Sequence, residues 1–176
     1  MIDRMMRAAR LDVNLYEEVE HDESLTTQAL QVVVLVSVLS AIGRVLGLLF
    51  AGNIGAIVGG LLFGVLQTIL AWGSWSYVTY LVGTKMFNGN ATYGQLLRTV
   101  GYAYSPGALA VFGFIPVLGG ILGAVGGIWT LVAGAVAVRQ ALDITTEKAI
   151  ATILVSIIPT FIVLIILNIP LALLGA

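Results

Sequence analysis

From Ala29 onward the chain is apolar in long blocks, separated by short joints of polar residues or glycine. A helix needs about 20 apolar residues to cross the hydrocarbon core. Five blocks approach or exceed that length: about 29–50, 56–82, 97–115, 117–138 and 148–168. The second is longer than a span requires. The third is the weakest, because it starts among polar residues and contains Pro106-Gly107. Only Phe114-Ile115-Pro116-Val117 divides it from the fourth, which predicts a tight hairpin with proline tolerated at the start of the following helix. The first 28 residues follow another rhythm. Ile2, Met5, Met6, Ala9 and Val13 recur at helical spacing with Arg4, Arg7 and Arg10 on the opposite arc, the pattern of an amphipathic helix lying in the membrane interface. The expected fold class is all-α: a polytopic membrane helix bundle with five transmembrane helices (residues 29–176) and a short amphipathic N-terminal helix in a head of residues 1–28.

Composition removes the soluble alternatives. Of 176 residues, 59% are hydrophobic and 10% charged, whereas a soluble domain carries about 25% charged residues. Ten of the seventeen charges fall in the first 23 positions, so a short aqueous head precedes a membrane body. A net charge of −1 offers no nucleic-acid surface. The first apolar run begins too far from Met1 for a signal-peptide h-region, so the first span is expected to be retained.

Basic residues then set an orientation. Arg4, Arg7, Arg10, Lys85, Arg98, Arg139 and Lys148 all fall on one side if the N-terminus is cytoplasmic. The opposite loops, near Gly52–Gly55 and Ile115–Val117, and the C-terminal tail are uncharged. The expectation is a multi-pass protein with its N-terminus cytoplasmic and its C-terminus outside, in the cytoplasmic membrane if the source is prokaryotic. Eight of the nine Trp and Tyr residues lie toward the cytoplasmic side, Trp129 being the exception. Such a one-sided set reads either as an interfacial belt or as a partner surface, which makes Trp72, Trp75, Tyr102 and Tyr104 candidate contacts beside Arg4, Arg7 and Arg10.

Within the spans, Arg44 stands alone, either snorkelling to the outer interface or touching a lipid or ligand. Gly119, Gly123 and Gly127 form a ridge suited to close helix packing, while Pro106, Gly107 and Pro159 are candidate kinks. The acidic run Glu17–Glu23 reads as a solvated stretch or a dock for a basic partner; His21, the sole histidine, is read as neither ligand nor catalyst, with a pH-sensing role as the alternative. Thr145 suits an N-cap and Glu147 the first turn of the last helix. The spans hold no His-rich, Cys-rich or carboxylate cluster, and the sequence offers no Ser-His combination there and no P-loop pattern. No catalytic residues, cofactor or metal are therefore expected, and the protein is not read as an enzyme.

Three blocks, in order, carry a family likeness: Leu15-Tyr-Glu-Glu-Val-Glu-His-Asp with Gln28-Ala-Leu; Thr92-Tyr-Gly-Gln-Leu-Leu running into Tyr102-Ala-Tyr-Ser-Pro106; and Ile115-Pro-Val-Leu-Gly with Ile128-Trp129, Arg139 and Thr145-Thr-Glu-Lys148-Ala. In these the chain resembles a compact, prokaryotic-like member of the YIP-one family (Ypt/Rab-GTPase-interacting-protein type). The resemblance implies five membrane helices, a cytoplasmic N-terminus, links to small GTPases and membrane organisation, and no catalytic residues. The long head of many eukaryotic members is missing here. The leading functional expectation is a protein that organises membrane or binds a protein partner through its cytoplasmic face. Accessory subunit of a larger membrane complex, and carrier of a small solute or lipid, are the alternatives. Membrane lipids and a protein partner are the expected company; the oligomeric state is left open.

Overall fold

A computed structural model describes the backbone of residues 1–50 and 57–173 and the side chains of residues 1–49 and 63–169. The expected outer loop near Gly52–Gly55 and the end of the C-terminal tail lie outside the described residues. The described chain is all-α, with seven α-helices: α1 (Ile2–Ala9), α2 (Val13–His21), α3 (Thr26–Phe50), α4 (Ile57–Met86), α5 (Tyr93–Ala103), α6 (Leu118–Ala141) and α7 (Thr146–Leu173).

The head differs from the expected pattern of one helix and a solvated acidic run. Leu11, at φ +61°, reverses the chain, and the Asp12 carboxylate accepts from Asn14 N (3.0 Å) to cap a second helix through the acidic run. Asp22 repeats the device, accepting from Ser24 N (3.0 Å) at a short 3-10 turn, Glu23–Leu25, that leads into α3. Three helices among the described residues are long and apolar enough to cross a membrane: Glu23–Leu49, Leu118–Ala141 and Thr146–Ile169. The two remaining expected spans look different. α4 has ample length at 30 residues but interleaves Gln67, Thr68, Ser74, Ser76 and Thr79. The third is no continuous α-helix: α5 ends at Ala103, and a ten-residue 3-10 segment, Ser105–Phe114, continues in its place.

Pro106 explains the change of geometry. It has no N–H for the Tyr102 carbonyl four residues back. The Ser105 hydroxyl donates to that carbonyl instead (2.6 Å), and Gly107 N bonds Tyr104 O three residues back (2.9 Å). The freed backbone group is thus satisfied inside the protein, as an apolar surrounding demands. At the far end Pro116 does not open α6 as expected but stands ahead of the cap. Val117, at φ +64°, makes the turn, and α6 starts at Leu118. α7, capped by Thr145 Oγ1 on Lys148 N (3.5 Å), remains helical through Pro159.

The 3-10 segment lies between α3 and α6, and glycines let it in. A Cβ on Gly43 would stand 2.3 Å from Ala110 O, and one on Gly119 2.4 Å from Phe112 O. Gly126 approaches Pro106 O in the same way, at 2.9 Å. Gly123 and Gly127 have open space instead, so the expected ridge of three does not pack as one face. Steps of seven, from Gly119 to Gly126, stay on the side of α6 that faces the segment; steps of four drift away from it.

The fully buried core lies at the end bearing α1 and α2, the head end. Leu15, Tyr16 and Val19 of α2 pack there with Leu96, Val100 and Tyr102 of α5, and with Ala137, Val138 and Ala141 of α6. By contrast, the outer faces of α6 and α7 are exposed and apolar. On α7 the exposed set runs from Ile150 to Ile169, about 29 Å at 1.5 Å per residue, which matches the hydrocarbon thickness of a bilayer.

Candidate interface at the head end

Three helices meet at Arg98. It stands on α5, whose first turn is held by a capping box: Gln95 N donates to Thr92 Oγ1 (3.3 Å) and Thr92 N to Gln95 Oε1 (2.6 Å). Arg98 is 5% exposed. Its Nε donates to Val19 O (2.9 Å), Nη2 to Glu20 O (2.5 Å) and Nη1 to Thr26 Oγ1 (3.4 Å). Val19 and Glu20 belong to the last turn of α2, where carbonyls lack helical partners and the dipole favours a cation. The arginine therefore latches the head helix onto the membrane body. Gln95 adds a second tie, its Nε2 donating to Glu20 Oε1 (2.8 Å), and Gln140 of α6 a third, to Glu17 Oε1.

A charged web joins α1 to the same unit. Arg4 pairs with Glu18 (Nη2–Oε1, 2.7 Å) and donates to Gln28 Oε1 (3.2 Å), which also accepts from the Tyr102 hydroxyl (2.5 Å). Arg7 bridges Asp12 (2.7 Å) and Glu18 (2.9 Å). Hydrogen bonds from Arg4 and Arg7 hold Glu18 below the usual carboxylate range, and Arg7 does the same for Asp12. Trp129 Nε1 donates to Ala9 O (2.6 Å), pinning the end of α1 to the middle of α6.

The candidate contact residues divide on this geometry. Trp72 and Tyr102 lie inside, 6% and 0% exposed, and Trp72 Nε1 is spent on Leu97 O (3.1 Å). Trp75 and Tyr104 meet edge to face at 6.5 Å between centroids, both partly buried. Arg4 and Arg7 point their charge into the web, whereas Arg10 is exposed beside Ile2 and Met6, the outward edge of α1. Tyr77 is the exposed aromatic at this end, packed on Tyr93 at 5.5 Å. Arg44 lies at the opposite end of the bundle, exposed, with its Nη2 3.1 Å from the place a Cβ of Gly64 would take. Arg98, Glu20, Gln28 and Gln95 were not among the candidate contacts read from sequence. The one readable sign was Thr92-x-x-Gln95, a capping-box spacing.

The fold brings Leu15–His21, Thr92–Tyr102 and the α6–α7 turn into one unit; these hold most of the first two sequence blocks of the family likeness and the Arg139 and Thr145–Ala149 part of the third, whose Ile115-Pro-Val-Leu-Gly stretch lies at the other end of α6. The Yip1 domain family matches residues 14–168. The chain belongs to the Yip1 domain family. It is a multi-pass membrane protein of a non-enzymatic family. No curated protein and no solved structure is measurably similar to it. The match begins at Asn14, so the Yip1 domain takes in α2 and leaves out α1.

Proposed function

We propose that this Yip1-domain protein is a non-enzymatic membrane component that binds a protein partner and organises lipid through its head end, facing the cytoplasm. The observation that carries this is the latching of α1 and α2 onto the bundle by Arg98 and the Arg4–Glu18–Arg7 web. It presents a fixed face, with Arg10, Ile2 and Met6 along one edge and Tyr77 along another. Protein partners of the Rab GTPase type are the family's expectation.

Five spans and a cytoplasmic head complete the proposal. Support comes from the seven basic residues outside Arg44, which sit on or beside helix ends and turns of the head side. The chain has no cysteine, so single cysteines can be placed without background. Asn88→Cys and Thr145→Cys should react with an impermeant maleimide only from the cytoplasmic side, and Val117→Cys only from the other. Labelling of Val117→Cys together with Thr145→Cys from one side would refute the arrangement. For the partner, a photocrosslinker at Tyr77 or Met6 should trap a GTPase-sized protein or a phospholipid, while intramolecular products alone would count against the head-end interface.

A lateral role within a larger complex has its own support. Gly120, Gly123 and Gly127 have no neighbour within 4 Å where a Cβ would go, so a foreign helix could come close there. Disulfide trapping from Gly123→Cys reads this out, and a failure to trap any other chain removes it.

A further inference from the structure

Glu20 and His21 follow Glu17 on α2 by three and four residues, so each neighbours it on the helix surface. One ligand-capable atom from each lies within 4.8 Å of the other two. Glu20 sets this cluster apart from a solvated acidic run. It is 3% exposed, and its Oε2 is buried with no hydrogen-bond partner, while Oε1 is held by Gln95. A buried carboxylate oxygen left without a partner is costly. Arg98 does not relieve it, since the guanidinium is spent on the carbonyls of Val19 and Glu20 and on Thr26.

The surroundings suit a cation. Glu17 and Asp143 bring further negative charge around the Glu20 carboxylate. Asp143, on the turn between α6 and α7, also acts on His21. His21 is exposed, and its Nδ1 lies 2.9 Å from Glu17 O, a carbonyl that can only accept. Nδ1 therefore donates there, and in the neutral imidazole this leaves the Nε2 lone pair for a metal, the arrangement of an imidazole ligand whose other nitrogen donates to a carbonyl. Gln140 and Gln95 orient the two carboxylates, as outer-shell groups do.

We propose that Glu17, Glu20 and His21 form a binding site for a first-row divalent cation, Zn²⁺ above all, at the join between the head and the membrane body. One imidazole nitrogen with carboxylate oxygens and no sulfur matches Zn²⁺ among these ions, and the imidazole disfavours Mg²⁺ and Ca²⁺. The ion satisfies Glu20 and fastens the end of α2 against α5 and the α6–α7 turn, so head docking becomes cation-dependent.

The test is calorimetric titration of the full chain with ZnCl₂, in detergent, free of any polyhistidine tag and stripped with chelator. A saturable equivalent should bind and raise the melting temperature. His21→Ala and Glu17→Gln, at exposed and half-buried positions, should weaken binding by about tenfold or more, while Glu23→Gln in the same acidic run leaves it unchanged. The proposal is overturned if no saturable binding occurs. Equal binding by the wild type and the His21→Ala/Glu17→Gln double variant, which marks diffuse adsorption to acidic surface, overturns it too.

Discussion

Arg98 shows how much one side chain decides here. In sequence it is one of seven basic residues that mark an orientation; in the fold it is buried and holds carbonyls 78 and 79 residues away. Nothing in a one-dimensional pattern separates the two roles, because its partners are backbone atoms common to every residue. Arg98→Met leaves those carbonyls without a donor and should cost about 3 kcal/mol, from two hydrogen bonds to a charged group. Arg98→Lys should recover only part, since an ammonium cannot span both carbonyls as the guanidinium fork does. Thermal unfolding followed by tryptophan fluorescence checks both. Glu20 gives a pH dependence of defined sign. Its carboxyl is raised from 4.5 to about 7 in the folded protein, chiefly by burial. Below about pH 4.5 both folded and unfolded states hold the proton, so the group contributes no slope. Between 4.5 and 7 only the unfolded state gives it up, and stability falls as pH rises until the loss is complete above 7. In chelator-treated protein, Glu20→Gln should flatten that decline in a series of melts across pH 5–8; an identical slope in the variant would contradict the assignment.

At the scale of elements, the break after Ala103 and the glycines around it belong together. Pro106 ends the α-helix, Ser105 repairs the lost bond, and the 3-10 segment that follows fits only where Gly43, Gly119 and Gly126 admit its backbone. Gly43→Ala should therefore lower stability by about 1–3 kcal/mol through overpacking, because the obstructing atoms are backbone carbonyls that cannot turn aside. Gly123→Ala and Gly127→Ala should be neutral, with unfolding temperatures in the same detergent as the readout. Equal effects at Gly43 and Gly123 would show that the segment is not threaded as described. The positions of the apolar blocks were legible from length and hydropathy alone. The phase of the glycine ridge was not, since glycine is frequent along α6 and only the neighbour it faces selects Gly119 and Gly126 over Gly123 and Gly127. The second head helix was obscured for a related reason: Tyr16, Val19 and Glu20 share its buried face, and a buried glutamate in an acidic run looks like solvated sequence until Gln95 and Arg98 are beside it.

For the whole molecule, the apolar and polar layers are arranged around the bilayer rather than around a single centre. The tightest packing is at the head end, where α1 and α2 close over α3, α5 and α6, while α6 and α7 turn exposed apolar faces outward over a bilayer's thickness. Membrane class and the family likeness followed from composition and ordered blocks, and the family match bears the likeness out. The head as a folded unit, with α2 inside the Yip1 domain and α1 packed onto it, is what the structure adds, and the proposed interface depends on it. Hydrogen exchange of the α2 amides, read by mass spectrometry on the full chain in lipid nanodiscs, tests this most directly. A docked head predicts that Leu15–Glu20 exchange as slowly as Leu96–Tyr102 of α5, and that Arg98→Met releases the first set while sparing the second. Exchange of Leu15–Glu20 in the wild type at the rate of an unstructured peptide would contradict the account.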